Sequence, residues 1–311
     1  MSTMNQTLVS EFLLQCFGNL QSFNIVIFIC FLAIFTLTIT GNLLINILVT
    51  RCHVLHSPMY YFLCHLSVAD MLLSAIIVPN ILYASLLGGK RISYLGCITQ
   101  FYFFSGTTIT ECLLLTVMSY DRYVAICFPL HYTAVMGCYV HLSALPWLLG
   151  FTLNIIAVMP VTNFDFCKDH IIDHFYCDLA PLQKISCSDT SFVEFIVFVF
   201  STPLFIVPCC LIVISYVYIF LTILRIPSTA GKQKAFSTCS SHLIVVGMFY
   251  GTLITKYMTP SLDHSLLVNK IVSLVHTVFT PMVNPLIYSF RNQDIRSAIQ
   301  KYVCSLRKNR G

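Results

Sequence analysis

Seven long apolar runs constrain this chain more than any motif does: Ser22–Val49, Pro58–Leu86, Cys97–Ala125, Val140–Val161, Phe192–Leu224, Ala235–Met258 and Val268–Phe290. Each reaches the length of about 20 residues that a helix needs to cross the hydrocarbon core. Lipid offers the backbone no hydrogen-bond partner, so such segments are driven into helices. Composition agrees, because only 9% of the 311 residues are charged, against roughly 25% in a soluble domain. No short cleavable signal is expected: the N-terminus is polar, lacks a basic residue before Arg51 and runs directly into the first span. Connections are short except for about thirty residues between the fourth and fifth spans. No repeat or linker marks a second domain. The expectation is an all-α membrane protein, a single seven-transmembrane helix bundle over residues 22–291. Residues 1–21 form an N-terminal tail and 292–311 a second tail, in which Asp294–Leu306 has the spacing of a short amphipathic helix.

Orientation follows from Lys and Arg. Eleven of the 17 fall on the side of Arg51, Arg122, Arg225 and Arg291, and six on the side of Lys90, Arg91, Lys168, Lys184, Lys256 and Lys270. The positive-inside rule then places the C-terminus in the cytosol and the N-terminus outside the cell. Asn5-Gln6-Thr7 becomes a glycosylation acceptor on that outer tail.

Several polar residues sit at membrane depth, where they are costly and must be paired or functional. Asn42 lies in the first span, Asp70 in the second, Glu111 in the third and Asn284 in the seventh. The two acids either hold a hard cation such as sodium with oxygen ligands, or are protonated and hydrogen-bonded, since burial disfavours the charged form. Pro285 in the last span should kink its helix and free carbonyls for Asn284 and neighbouring polar groups.

Of fifteen cysteines, none forms a CxxC pair, which excludes a zinc module. Cys97, Cys167, Cys177 and Cys187 fall on the outer side, where disulfides persist, and allow three pairings. The same loop carries Asp165, Asp169, Asp173, Asp178 and Asp189, read as a solvated acidic lid or a cation-attracting vestibule. A Gly-rich phosphate loop, HExxH and GxSxG are absent, so no enzyme and no nucleic-acid partner is expected.

The third span closes on Met118-Ser119-Tyr120-Asp121-Arg122-Tyr123-Val124-Ala125-Ile126-Cys127. This stretch resembles the third-helix signature of rhodopsin-like (class A) G-protein-coupled receptors, and most closely the olfactory (odorant) receptor branch, departing only at Ser119. Further stretches resemble the same branch in the same order: Leu55-His56-Ser57-Pro58-Met59-Tyr60-Tyr61-Phe62-Leu63, Lys234-Ala235-Phe236-Ser237-Thr238-Cys239-Ser240-Ser241-His242-Leu243, Phe249-Tyr250-Gly251 and Pro281–Asn292, with Phe290 where the branch has Leu. The resemblance covers Gly41 to Asn292.

From the resemblance, not from spacing, come the pairings Cys97–Cys177 and Cys167–Cys187. It also implies a structural or allosteric sodium ion at Asp70 and Glu111 with Asn42 and Asn284. Asp121, Arg122, Tyr123, Tyr216, His242 and Tyr288 become the switch facing a stimulatory G protein. The implied function is that of a plasma-membrane odorant receptor that raises cyclic AMP and needs no other cofactor. A non-olfactory chemosensory receptor is the nearest alternative. A cation transporter or channel is the rival class, and the lack of an inverted repeat or paired broken helices stands against it.

If Arg122 faces inward, whole helical turns bring Glu111, Cys112, Ile109, Thr108, Ser105 and Phe104 onto the same face. Opposite them the fifth span offers Phe200 and Leu204, the sixth Tyr250, Ile254 and Tyr257, and the seventh Thr277. This lining is mostly apolar with a few hydroxyls. It predicts a neutral, mostly hydrophobic volatile ligand, with hydrogen bonds from Tyr257, Thr108 or Ser105.

Overall fold

A computed structural model describes residues 10–16, 23–166, 170–258 and 265–308. Among the described residues, seven helices are long and apolar enough to cross a membrane. They are α1 (Asn24–Arg51), α2 (Pro58–Leu87), α3 (Tyr94–Cys127), α4 (Tyr139–Val158), α5 (Ser191–Arg225), α6 (Thr229–Met258) and α7. The last runs as Ser265–Leu274, a π-helical turn Val275–Phe279, and Thr280–Arg291, and α8 (Gln293–Lys308) follows it. The expected spans therefore appear, with α3 and α6 starting earlier than hydropathy indicates.

Local chemistry sets the helix ends. Pro58 occupies the first turn of α2, where its missing N–H costs nothing. That helix stops at Gly88, whose φ of 76° is left-handed and suits glycine. Ser93 caps α3 by accepting from Gly96 N at 3.1 Å. The outward faces remain apolar, with Ile25, Ile29, Phe195, Phe198 and Phe220 all exposed. Those side chains have no place in water and fit lipid.

The interior has two stacked apolar layers. One joins Leu73, Ile77, Phe101 and Phe104 to the loop residues Tyr176 and Leu182. The other joins Leu63, Leu66, Cys112, Leu115, Met118, Ile212, Phe249, Tyr250 and Tyr288 at mid-bundle and below. Helices α3 and α4 approach closely at Gly150, where an added Cβ would sit 2.9 Å from Gly106 O.

A three-stranded sheet covers one end of the bundle, an element the all-helical reading did not include. Strand β1 (Glu11–Leu14) pairs antiparallel with β2 (Lys90–Ser93) and parallel with β3 (Ile171–Ile172). Phe12 and Leu14 plug into the first layer at 1% and 0% exposure. Part of the expected N-terminal tail is thus the central strand of a cap. The long loop also contains a short helix, Leu179–Ile185.

Candidate functional site

At the capped end, Cys97 and Cys177 form a disulfide that fastens the loop to the start of α3, as the resemblance implied. Gln100 reinforces it, its Oε1 accepting from Cys177 N at 3.0 Å. Cys187 is also disulfide-bonded; its expected partner Cys167 lies outside the described residues, as does Asn5. The anchored loop lays Tyr176 across Phe104, ring centroids 4.6 Å apart.

Beside these rings Lys256 of α6 forms an ion pair with Asp178, and Lys256 Nζ donates to Tyr176 Oη at 3.1 Å. Both side chains are about nine-tenths buried, at 11% and 8% exposure. Burial alone would raise the Asp178 carboxyl, but Lys256, His174 and the Leu179 N–H together hold it below the ordinary carboxylate range. Burial pushes the Tyr176 hydroxyl up to about 12 and the His174 imidazole down to about 4. The acids of the loop play separate parts rather than making one acidic lid. Asp173 pairs with Lys270, Asp178 is buried with Lys256, and Asp189 accepts from Ser191 N at 3.0 Å. Asp165 is exposed, and Asp169 lies outside the described residues.

About two turns below Phe104, Cys112 joins three helices. Its Sγ lies 3.0 Å from Tyr250 Oη of α6 and 3.5 Å from Leu204 O of α5. Ile109 is buried above it. Thr108 and Thr277 are buried, but each hydroxyl donates to its own helix, to Phe104 O at 3.0 Å and Ser273 O at 2.8 Å. Ser105 does the same with Phe101 O at 2.6 Å. The expected group thus converges at Phe104, Ile109, Cys112, Leu204 and Tyr250. Phe200 and Ile254 do not join it: they stand 46% and 53% exposed on their helix surfaces. The Tyr257 side chain lies outside the described residues. Sequence reasoning missed His276, buried in the π-helical turn, with Nδ1 3.2 Å from Thr252 Oγ1. It also missed the Lys256–Asp178 pair, whose members lie 78 positions apart.

Deeper still, Asn284 Nδ2 donates to both oxygens of Asp70, at 3.0 and 3.1 Å. Glu111 is buried close enough for the two acids' charges to interact. Among the described residues, Glu111 Oε1, Ser74 Oγ, Asn42 Oδ1 and Asn284 Oδ1 are buried without a protein partner. Of these, Glu111 Oε1 and the oxygen of the Asn284 amide that touches Asp70 are donors of the type a hard cation takes. No group of three or more His, Cys, Asp or Glu able to hold a metal occurs among the described residues.

At the opposite end Arg122 grips Asp121, with Nε to Oδ2 at 2.9 Å. Tyr132, from the connection after α3, donates to the other oxygen of Asp121 at 2.7 Å. This partner gave no signal in the sequence. Tyr216 Oη meets His242 Nδ1 at 2.7 Å, and Tyr288 is buried nearby in the same apolar layer as Tyr216. Tyr123 packs against a third, small apolar cluster of Ile219, Ile223 and Cys239, its ring 6.0 Å from that of Tyr218.

Seven membrane-length helices, a loop-roofed interior at one end and a clamped Asp-Arg pair at the other define a seven-helix membrane bundle with the layout of a receptor. The sequence comparisons narrow the class. The olfactory receptor family matches residues 29–306. The chain is 41% identical over 307 residues to olfactory receptor 1468 of Rattus norvegicus, covering 98% of both chains. It is 42% identical over 311 residues to olfactory receptor 1E2 of Gorilla gorilla gorilla, covering 99% of both. With olfactory receptor 11A1 of Homo sapiens it shares 42% over 305 residues, covering 97% of this chain and 96% of that one. This chain belongs to the olfactory receptor family. It is an odorant receptor, a multi-pass protein of the plasma membrane acting through a G protein.

Proposed function

We propose that this receptor binds a small, neutral, mostly hydrophobic odorant between Cys112 and the Phe104–Tyr176 roof. Binding shifts the bundle toward a state that engages the stimulatory G protein and raises cyclic AMP. The observation that carries the reading is the contact of Cys112 with both Tyr250 and Leu204. It makes one point of α3 the place where movement of α5 and α6 is sensed. A ligand resting on that point changes the equilibrium only by its differential affinity for the two states. The N-terminus and sheet cap face outside and Arg122 faces the cytosol, as the Lys and Arg distribution supports. Residues 22–291 act as one receptor domain, with 1–21 outside and 292–311 inside the cell. Sodium at Asp70 and Glu111 favours the resting bundle.

Filling the contact point tests the reading. Cys112→Leu adds volume where Cys112 is 0% exposed. Surface-expressed Cys112→Leu should lose about tenfold or more in odorant potency, as overpacking by a kcal/mol or more implies. An unchanged cyclic AMP dose–response would place the ligand elsewhere.

A further inference from the structure

Two of the donors that the sequence offered at the top of the interior are already committed. Ser105 and Thr108 spend their hydroxyl protons on Phe101 O and Phe104 O. Lys256, by contrast, holds its ammonium 5.1 Å from the Phe104 ring centroid and 5.5 Å from that of Tyr176. We propose that Lys256 selects the functional group of the odorant, donating to the carbonyl oxygen of a neutral aldehyde, ketone or ester seated against Phe104. This rests on the reading that the odorant lies beneath the Phe104–Tyr176 roof.

Charge balance decides the class. Lys256 and Asp178 are one buried cation and one buried anion. A carboxylate ligand would leave two anions around one cation, and an amine two cations around one anion. Either leaves a buried charge uncompensated, which is strongly disfavoured. A carbonyl accepts a charge-assisted hydrogen bond without altering the balance. An alcohol accepts as well, but it must at the same time aim its own proton at Asp178 or a hydroxyl oxygen, a second directional demand that a carbonyl does not make.

The exchange is feasible because the partners are unequal. Asp178 also accepts from Leu179 N at 2.9 Å, so it keeps a hydrogen-bond partner when Lys256 tilts aside. Lys256 carries its charge on a flexible stem that can tilt from carboxylate to ligand.

The test uses cells expressing the full chain, with surface display measured by antibody and cyclic AMP as readout. The probes are matched sets on three skeletons: octanal, octanol, octanoic acid and octylamine, with the corresponding benzyl and citronellyl compounds. Wild type should respond best to aldehydes. Lys256→Met should lower aldehyde potency by about tenfold or more, as loss of a hydrogen bond to a charged donor implies. Asp178→Asn keeps the helix cap, since Asn caps as well as Asp, and leaves Lys256 without its counter-charge. Its ratio of acid to aldehyde potency should rise by about tenfold or more. A wild-type ranking led by acids or amines overturns the inference, as does an unchanged acid-to-aldehyde ratio in Asp178→Asn. Should Lys256→Met fail to reach the surface, those two results decide alone. A surface-displayed wild type that answers neither these probes nor a broad odorant mixture overturns the pocket reading on which the inference rests.

Discussion

Asn42 of α1 donates from Nδ2 to the carbonyl oxygen of Pro281 in α7, at 3.0 Å. Pro285 stands four residues further on and has no N–H, so the Pro281 carbonyl lacks its ordinary helical donor. Gly41 makes the approach feasible, since a Cβ there would sit 3.1 Å from Pro285 Cγ. The adjacent Gly and Asn therefore act together: one admits the proline ring and the other satisfies the carbonyl that ring exposes. Asn284, the partner expected from sequence, is turned to Asp70 instead.

Asn42→Ala should accordingly destabilise the receptor by roughly 0.6–2 kcal/mol, the range for interhelical hydrogen bonds in membranes. In a Pro285→Ala background the restored N–H satisfies the Pro281 carbonyl, and the cost of Asn42→Ala should shrink. Thermal unfolding of the four purified proteins in detergent measures both costs. Equal costs in the two backgrounds would refute the proline account.

The Asp121 carboxylate is shared between Arg122 and Tyr132. Tyr132→Phe removes a hydrogen bond to a charged group, worth about 1.5–3 kcal/mol where it is fully formed. If Arg122 must leave Asp121 to meet the G protein, a loosened Asp121 alters the resting clamp. Basal cyclic AMP in Tyr132→Phe should change several-fold at equal surface expression, while Arg122→Ala should abolish signalling. An intact odorant response in Arg122→Ala would remove Arg122 from the switch.

The spans were legible because lipid leaves the backbone few choices. Their ends were less so: α6 begins at Thr229, six residues before Ala235, where the helix is polar and hydropathy carries no signal. Helical phase brought Cys112 and Tyr250 together correctly but misplaced Ile254 and Phe200. The buried face of α6 steps through His242, Val245, Phe249 and Leu253, and Ile254 lies one residue past it. In α5, the buried positions Val193, Pro208, Ile212, Ile219 and Ile223 leave Phe200 on the outer surface. Strand β1 is only four residues long and owes its existence to β2 and β3, so local sequence could not announce it. Lys256 and Asp178 belong to segments whose approach is set by the Cys97–Cys177 bridge.

Asp70 and Glu111 offer a direct test of cation binding. The Asn284 amide touches Asp70, and its Oδ1, like Glu111 Oε1, is buried without a protein partner among the described residues. On the proposal that sodium binds the resting bundle in preference, basal cyclic AMP in membranes expressing the wild type should fall as sodium replaces potassium at constant ionic strength. Asp70→Asn should flatten that dependence. A sodium response of the same size in Asp70→Asn would exclude the site.

The roof supplies a pH prediction with a defined sign. His174 is buried at 5% exposure, its ring edge-on to Tyr176 at 4.6 Å. Burial lowers it to about 4; Asp178 pulls it upward, whereas Lys256 and Lys270 oppose protonation. The unfolded chain takes up the proton near the ordinary value of 6.5, the folded one only near 4. Between those limits the unfolded state binds more protons, so stability falls as pH drops, by at most about 1.4 kcal/mol per pH unit for one group. Asp178, held below its ordinary 3.8, contributes stability above that value and loses it only as pH falls through its lower folded value. The slope between pH 6.5 and 4 attributable to the roof is therefore that of His174. His174→Phe keeps an aromatic ring against Tyr176 and cannot take up the proton. Comparing the thermal stability of both proteins across this range separates the histidine from the membrane acids Asp70 and Glu111, which the two share. The wild type should lose stability relative to His174→Phe as the medium is acidified. Parallel curves would mean that His174 is protonated as readily in the folded receptor as in the unfolded chain.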